Sequence, residues 1–331
     1  MNEALDRSRV EAELRQFKNN KQIHDLPRIQ HYWSNQFLKP KFQALGFTGM
    51  WDFYLKSVLA VRNRMQNAGR LLIVSIGSGN CDIEIMLAKC LIGAGEQDFL
   101  IECLDLNPQM LERGAASAER NNLLRHFVFT TTDLSDWQPA PDSIAVFFAN
   151  QSLHHIEKLE NLFDRVEAAM SPQGCLLTGD MIGRNGHMLW PNALAVVRAI
   201  WASMDETKRL NHRTLKIDAE FRNTDFSAHG FEGIRAQDIL PLLVERFHQD
   251  VFLGFNGFVR PFISRAYGPN FDPNDEADTR FIRFIGTLDD SFIDEGVLKP
   301  TQCFATFGKV PSPKPLQHKH WTAAYCVQKT T

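Results

Sequence analysis

Four groups of residues in the 331-residue chain have types and spacing that suit chemistry. The first is the turn Gly77-Ser78-Gly79, where a backbone free of side chains lets a ligand approach the end of a strand. The second is Asp105 followed by Leu106. A carboxylate closing a strand there can accept hydrogen bonds from both hydroxyls of a ribose, and Asn107 before Pro108 is the better-placed helix cap, which frees Asp105. The third is Thr132-Asp133-Leu134. Its carboxylate suits the exocyclic amino group of an adenine, with Leu134 as backbone contact, and equally suits the cap of a turn. The fourth is Asn150-Gln151-Ser152-Leu153-His154-His155. An imidazole titrating near neutrality can take a proton from an attacking nucleophile, and the same pair can serve to pack a loop or cap the helix at Glu157. A metal is not expected, because neither Cys nor an acid supports the two histidines locally and Glu157 alone is thin.

The elements that must position these residues follow from the apolar pattern. Leu71–Ile76, Leu100–Leu106, Phe127–Thr131, Ile144–Ala149 and Cys175–Met181 are short apolar runs. Between the first two and after the second and fourth, helical patterns cover Asp82–Ile92, Pro108 to about Asn121, and Leu159–Met170. Strand and helix in alternation, with continuous apolar strands, imply an α/β fold: a doubly wound, Rossmann-like, mostly parallel sheet. Residues 1–69 read as a helical N-terminal cap, with helices over Ala4–Asn19 and Met50–Met65 and a segment around His31-Tyr32-Trp33-Ser34 punctuated by Pro27 and Pro40. Residues 70–185 form the core. Residues 186–310 read as a helical insertion plus the last strands, and 311–331 as an extended tail.

The glycine turn lacks one feature of a dinucleotide fingerprint. Gly77-x-Gly79-x-x-Gly would need a third glycine at position 82, which is Asp. A glycine turn and two acids, each ending a successive strand, point instead to a nucleoside without phosphate. Charge agrees: a net −3 and a pI near 6.4 provide no general attraction for a phosphate backbone. No apolar run reaches the roughly 18 residues of a membrane span, and the six scattered cysteines read as reduced thiols, so a cytoplasmic protein is expected.

This series resembles the class I S-adenosylmethionine-dependent methyltransferases over about residues 70–183. The resemblance implies S-adenosylmethionine as cofactor. Its amino-acid end would lie on Gly77, Ser78 and Gly79, its ribose on Asp105 and Leu106, its adenine on Asp133 and Leu134, with Asn150 completing the set. The segment through His154-His155-Ile156 looks like one common in small-molecule members, where one histidine is in some cases the base. Members that methylate nucleic-acid bases carry Asn/Asp-Pro-Pro-aromatic where this chain reads Asn150-Gln151-Ser152-Leu153, so a small-molecule acceptor is expected, with no nucleic-acid or membrane partner. A nicotinamide oxidoreductase, a methyltransferase fold that catalyses a cyclisation or isomerisation instead, and a binding scaffold are the rival readings.

Phenylalanine is abundant, at 25 residues against 4 Tyr and 6 Trp. Fourteen lie between Phe221 and Phe307 and six between Leu71 and Ile182. The bias therefore falls on the insertion and last strands, where it suits either packing, an apolar acceptor pocket or a homodimer interface.

Overall fold

The computed structural model describes residues 26–66, 69–228 and 230–328; the expected helix over Ala4–Asn19 lies outside them. An eight-stranded sheet forms the centre, in the order β3-β2-β1-β4-β5-β9-β8-β10. Its strands are β1 (Leu71–Ile76), β2 (Phe99–Asp105), β3 (Phe127–Thr131), β4 (Ile144–Asn150), β5 (Met170–Met181), β8 (His248–Phe255), β9 (Gln302–Gly308) and β10 (Leu316–Gln317). β1 to β5 run parallel, and β9 is antiparallel to both β5 and β8. The five apolar runs of the sequence are thus the five parallel strands. β4 buries its first six residues because sheet neighbours and helices cover both its faces.

The helices between the strands match the expected ones within a residue or two: α4 (Asp82–Gly93), α5 (Pro108–Arg120) and α6 (Leu159–Ala169). Asn107 caps α5 by accepting the Gln109 N–H at 3.0 Å. The order reverses at β1, which pairs β2 on one side and β4 on the other. Loops leaving adjacent strands diverge there and open a crevice at their carboxyl ends.

Three short helices, α1 (Arg28–Trp33), α2 (Lys39–Ala44) and α3 (Met50–Arg64), form the described part of the N-terminal cap. The chain stays helical through Pro40, contrary to the expected punctuation. A π turn, Ser34–Leu38, joins α1 to α2, and the Lys39 N–H reaches back to the Ser34 carbonyl. Widening the helix there accommodates the hydrogen bond that Pro40 cannot donate. Lys41, just after Pro40, is buried against Asp290 at 2.5 Å.

The insertion after β5 holds α7 (Pro191–Ser203) and a small antiparallel ribbon, β6 (Leu210–Asn211) with β7 (Lys216–Ile217). Then come α8 (Ala236–Arg246), α9 (Arg260–Ile263) and α10 (Glu276–Asp294). The segment from Pro311 does more than extend: β10 pairs β8, Ala323 N donates to Gln249 Oε1 at 2.7 Å, and Trp321 is fully buried.

Candidate active site

The turn after β1 is shaped by its neighbour on β4. Gly77 has φ +66°, and a Cβ there would lie 2.8 Å from Ser152 Cβ, so both conformation and space require glycine. Asp105 ends β2 beside it and ties the turn down: Oδ2 accepts the Gly79 N–H and Oδ1 the Asn107 N–H, each at 2.8 Å. Each oxygen keeps acceptor capacity for a further donor. Asp133 uses one oxygen, Oδ1, for both the N–H and hydroxyl of Ser135 at 2.7 Å, so the turn-cap role weighed from the sequence is present. Asn150 accepts a hydrogen bond from the buried Tyr54 hydroxyl. Burial, with the charges of Asp180 and Glu84, pushes the Tyr54 pKa well up, so the phenol stays a donor. The Asn150 NH2 group is then the part left to serve a ligand.

The other half of the site follows β4 and β5. Asp180, buried at the end of β5, accepts the N–H groups of Ser152 at 3.0 Å, Leu153 at 2.8 Å and Met181 at 2.7 Å. It also takes His154 Nδ1 at 2.5 Å. Asp180 thus caps the turn and orients the histidine in one arrangement. His154 is buried and His155 half-buried, with ring centroids 4.3 Å apart.

Two residues the sequence reading did not single out complete this cluster. His187 Nε2 lies 2.8 Å from Glu232 Oε1, and Glu232 also faces His154 Nε2 at 3.9 Å and His155 Nε2 at 3.6 Å. The two loops are stitched where Gly186 N donates to the Gly233 carbonyl at 2.9 Å; a Cβ on Gly233 would meet His187 Cε1 at 3.0 Å. Burial draws the His187 pKa down to about 4, against the hydrogen bond to Glu232. Burial would raise Glu232, but the His187 hydrogen bond and the charges of His155 and His154 hold it far below the usual carboxylate range. The acid missing near the histidine pair in sequence is thus supplied from far along the chain. A donor atom from each of His154, His155 and Glu232 lies within 4.8 Å of the others.

One cavity of about 1960 Å³ joins the two halves. Gly77, Ser78, Gly79, Asp105, Leu106, Asp133, Leu134, Asn150, His154 and His155 all line it. Trp33 forms part of its wall, stacked on Phe37 and tilted against Phe255, whereas Tyr32 turns away and accepts a hydrogen bond from Arg283. Arg260 also lines the cavity. Asp289 accepts the N–H groups of Gly257, Phe258 and Val259 and so fixes the turn that presents it. Burial lowers the Arg260 pKa to about 10; Glu232 counters this, and Arg213 and Arg265 add to it. Of the fourteen clustered phenylalanines, Phe221, Phe226, Phe231, Phe255 and Phe304 line the cavity, while Phe252, Phe258, Phe262 and Phe307 are packed in the core. The clustered phenylalanines therefore divide between cavity wall and core packing.

A family profile described as "Methyltransferase domain" matches residues 73–174. No curated protein sequence matches the chain. Among solved structures, DszA carbon methyltransferase is similar at 13% identity and TM-score 0.36, over 40% of this chain and 35% of that one. The chain thus spans about a third of that protein's length. The geranyl diphosphate C-methyltransferase from Streptomyces coelicolor A3(2) is similar at 12% identity and TM-score 0.43, over 91% and 98% of the two chains. The [4+2]-cyclase SpnF is similar at 12% identity and TM-score 0.42, over 78% and 82%. The span from β1 into β5 that carries the glycine turn and both strand-end acids is therefore a methyltransferase domain of the class I type, and its cofactor is S-adenosylmethionine.

Proposed function

We propose that the protein transfers a methyl group from S-adenosylmethionine to an O, N or C nucleophile of a small, largely apolar molecule. The observation that carries this reading is the single cavity that runs from the glycine turn to the histidine cluster. At about 1960 Å³ it exceeds the roughly 300–1,000 Å³ of a site for one small ligand, so cofactor and acceptor fit together. The cofactor fit rests on the cradle at Gly77, which a Cβ would fill, and on Asp105 at the end of β2 and Asp133 just past the end of β3. When bound, the cofactor supplies an electrophilic methyl group.

The chain's own residues then do three things. Gly77, Ser78 and Gly79 admit the amino-acid end, Asp105 with Leu106 holds the ribose, Asp133 with Leu134 reads the adenine, and Asn150 offers its NH2. Phe255, Phe304 and Trp33 exclude water from the acceptor and hold it by contact area, while Arg260 suits an acidic or otherwise electron-rich group on it. His154, oriented by Asp180, and His155, facing Glu232, lie where the acceptor's proton must leave. Most of the rate gain comes from proximity.

The reading is tested by incubating the protein with S-adenosylmethionine and a panel of lipophilic hydroxy, amino and acidic compounds, then measuring S-adenosylhomocysteine and methylated product by mass spectrometry. Equal amounts of both support it. Acceptor turnover without S-adenosylhomocysteine would instead identify a cyclase or isomerase, and absence of cofactor binding would remove the enzyme reading.

A further inference from the structure

Proton transfer needs one histidine, yet three imidazoles and a carboxylate converge at this end of the cavity. Asp180 already accepts three backbone N–H groups, so its contact with His154 Nδ1 at 2.5 Å has to be a fourth donated hydrogen. The other ring nitrogen, Nε2, faces Glu232 Oε1 at 3.9 Å. That gap is too long for a direct hydrogen bond and leaves room for a cation that both atoms could ligate. His155 Nε2 faces the other oxygen, Oε2, at 3.6 Å. His187 donates to Oε1 at 2.8 Å and orients the carboxylate. Two ligand atoms at about 2.1 Å from a tetrahedral ion lie roughly 3.4 Å apart, so the two histidine–carboxylate spacings need a small contraction, and the set as a whole, with its ligand atoms within 4.8 Å of one another, has to draw together on the ion.

We infer that His154, His155 and Glu232 bind a divalent first-row transition-metal ion, oriented from outside by Asp180 and His187. Two imidazoles and a carboxylate on one side leave coordination positions open, here toward the cavity that all three residues line. Nitrogen donors favour zinc, iron or cobalt over magnesium or calcium. Carboxylate partners on ligating histidines are a general feature of such sites, and Asp180 on His154 provides one. The ion's use rests on the methyl-transfer reading: an open position there would hold the acceptor's oxygen or nitrogen and ease loss of its proton to solvent, in place of a histidine base, while that atom takes the methyl as the sulfonium S–CH3 bond breaks and S-adenosylhomocysteine leaves. Binding of the ion itself does not depend on that reading.

The test uses tag-free full-length protein stripped with a chelator, then titrated with Co2+ and followed by visible absorbance, with Zn2+ affinity measured by calorimetry. One equivalent of Co2+ should give ligand-field bands that Zn2+ abolishes. His155→Ala and Glu232→Gln should each weaken Zn2+ binding at least tenfold, and Asp180→Asn by about ten- to a hundredfold, with circular dichroism and S-adenosylmethionine binding reporting intact folding. Featureless Co2+ spectra, or equal Zn2+ affinity in wild type, His155→Ala and Glu232→Gln, would overturn the site and leave an adventitious ion only. Ion uptake without S-adenosylhomocysteine formation would keep the site and remove the methyl-transfer reading. Methyl transfer by protein that takes up no ion would do the reverse.

Discussion

Asp105 shows how one side chain can serve both fold and ligand. It holds Gly79 N and Asn107 N at 2.8 Å, and in the proposed function it also accepts from a ribose. Asp105→Ala should therefore abolish measurable S-adenosylmethionine binding by calorimetry. Asp105→Asn, which can keep one backbone contact but loses the charge, should weaken binding about tenfold or more; unchanged affinity in both would dismiss the ribose assignment. Glu84 makes a different residue-scale prediction. It is buried under the turn with Ser75 Oγ at 2.6 Å, and burial pushes its pKa from 4.5 up to about 7 despite that hydrogen bond. The native state then binds more protons than the unfolded chain between these values, so stability falls as pH rises from about 4.5 to about 7 and stays reduced above. Glu84→Gln should raise the melting temperature at pH 8 and flatten the slope between pH 5 and 7. An equally steep slope in the variant would exclude Glu84 as its source.

At the scale of elements, β1 to β5 were legible because a buried parallel strand has to be continuously apolar. The β1, β2 and β3 ends also delivered the glycine turn and both acids to one crevice. The π turn over Ser34–Leu38 was not legible, since Pro40 reads as a break unless packing rewards the widened helix. The tail was likewise read only as extended. Its role depends on contacts with β8 that no local pattern encodes. Trp321, fully buried there, should cost about 3–5 kcal/mol on truncation to alanine, measured as a shift of the urea midpoint at constant slope. A loss below about 1 kcal/mol would mean that the tail adds little to the fold.

At the scale of the whole molecule, cap, core and insertion share one chamber. Trp33 comes from the cap, the glycine turn with Asp105 and Asp133 from the core, and His187, Glu232 and Arg260 from the segments after β5. Among the described residues all six cysteines are free thiols, and no helix is long and apolar enough to cross a membrane.

The amino-acid sequence by itself determined the parallel sheet, its helices, and the glycine-acid-acid series, because each depends on a local pattern or on a residue ending its own strand. Even the His154-His155 pair was visible. Its chemistry was not, because Asp180 near the end of β5 and His187 and Glu232 on later segments meet the pair only after the sheet has folded. Side-chain charge, tautomer and ligand geometry depend on distance in space rather than along the chain, and the tertiary structure alone decided that these five residues converge.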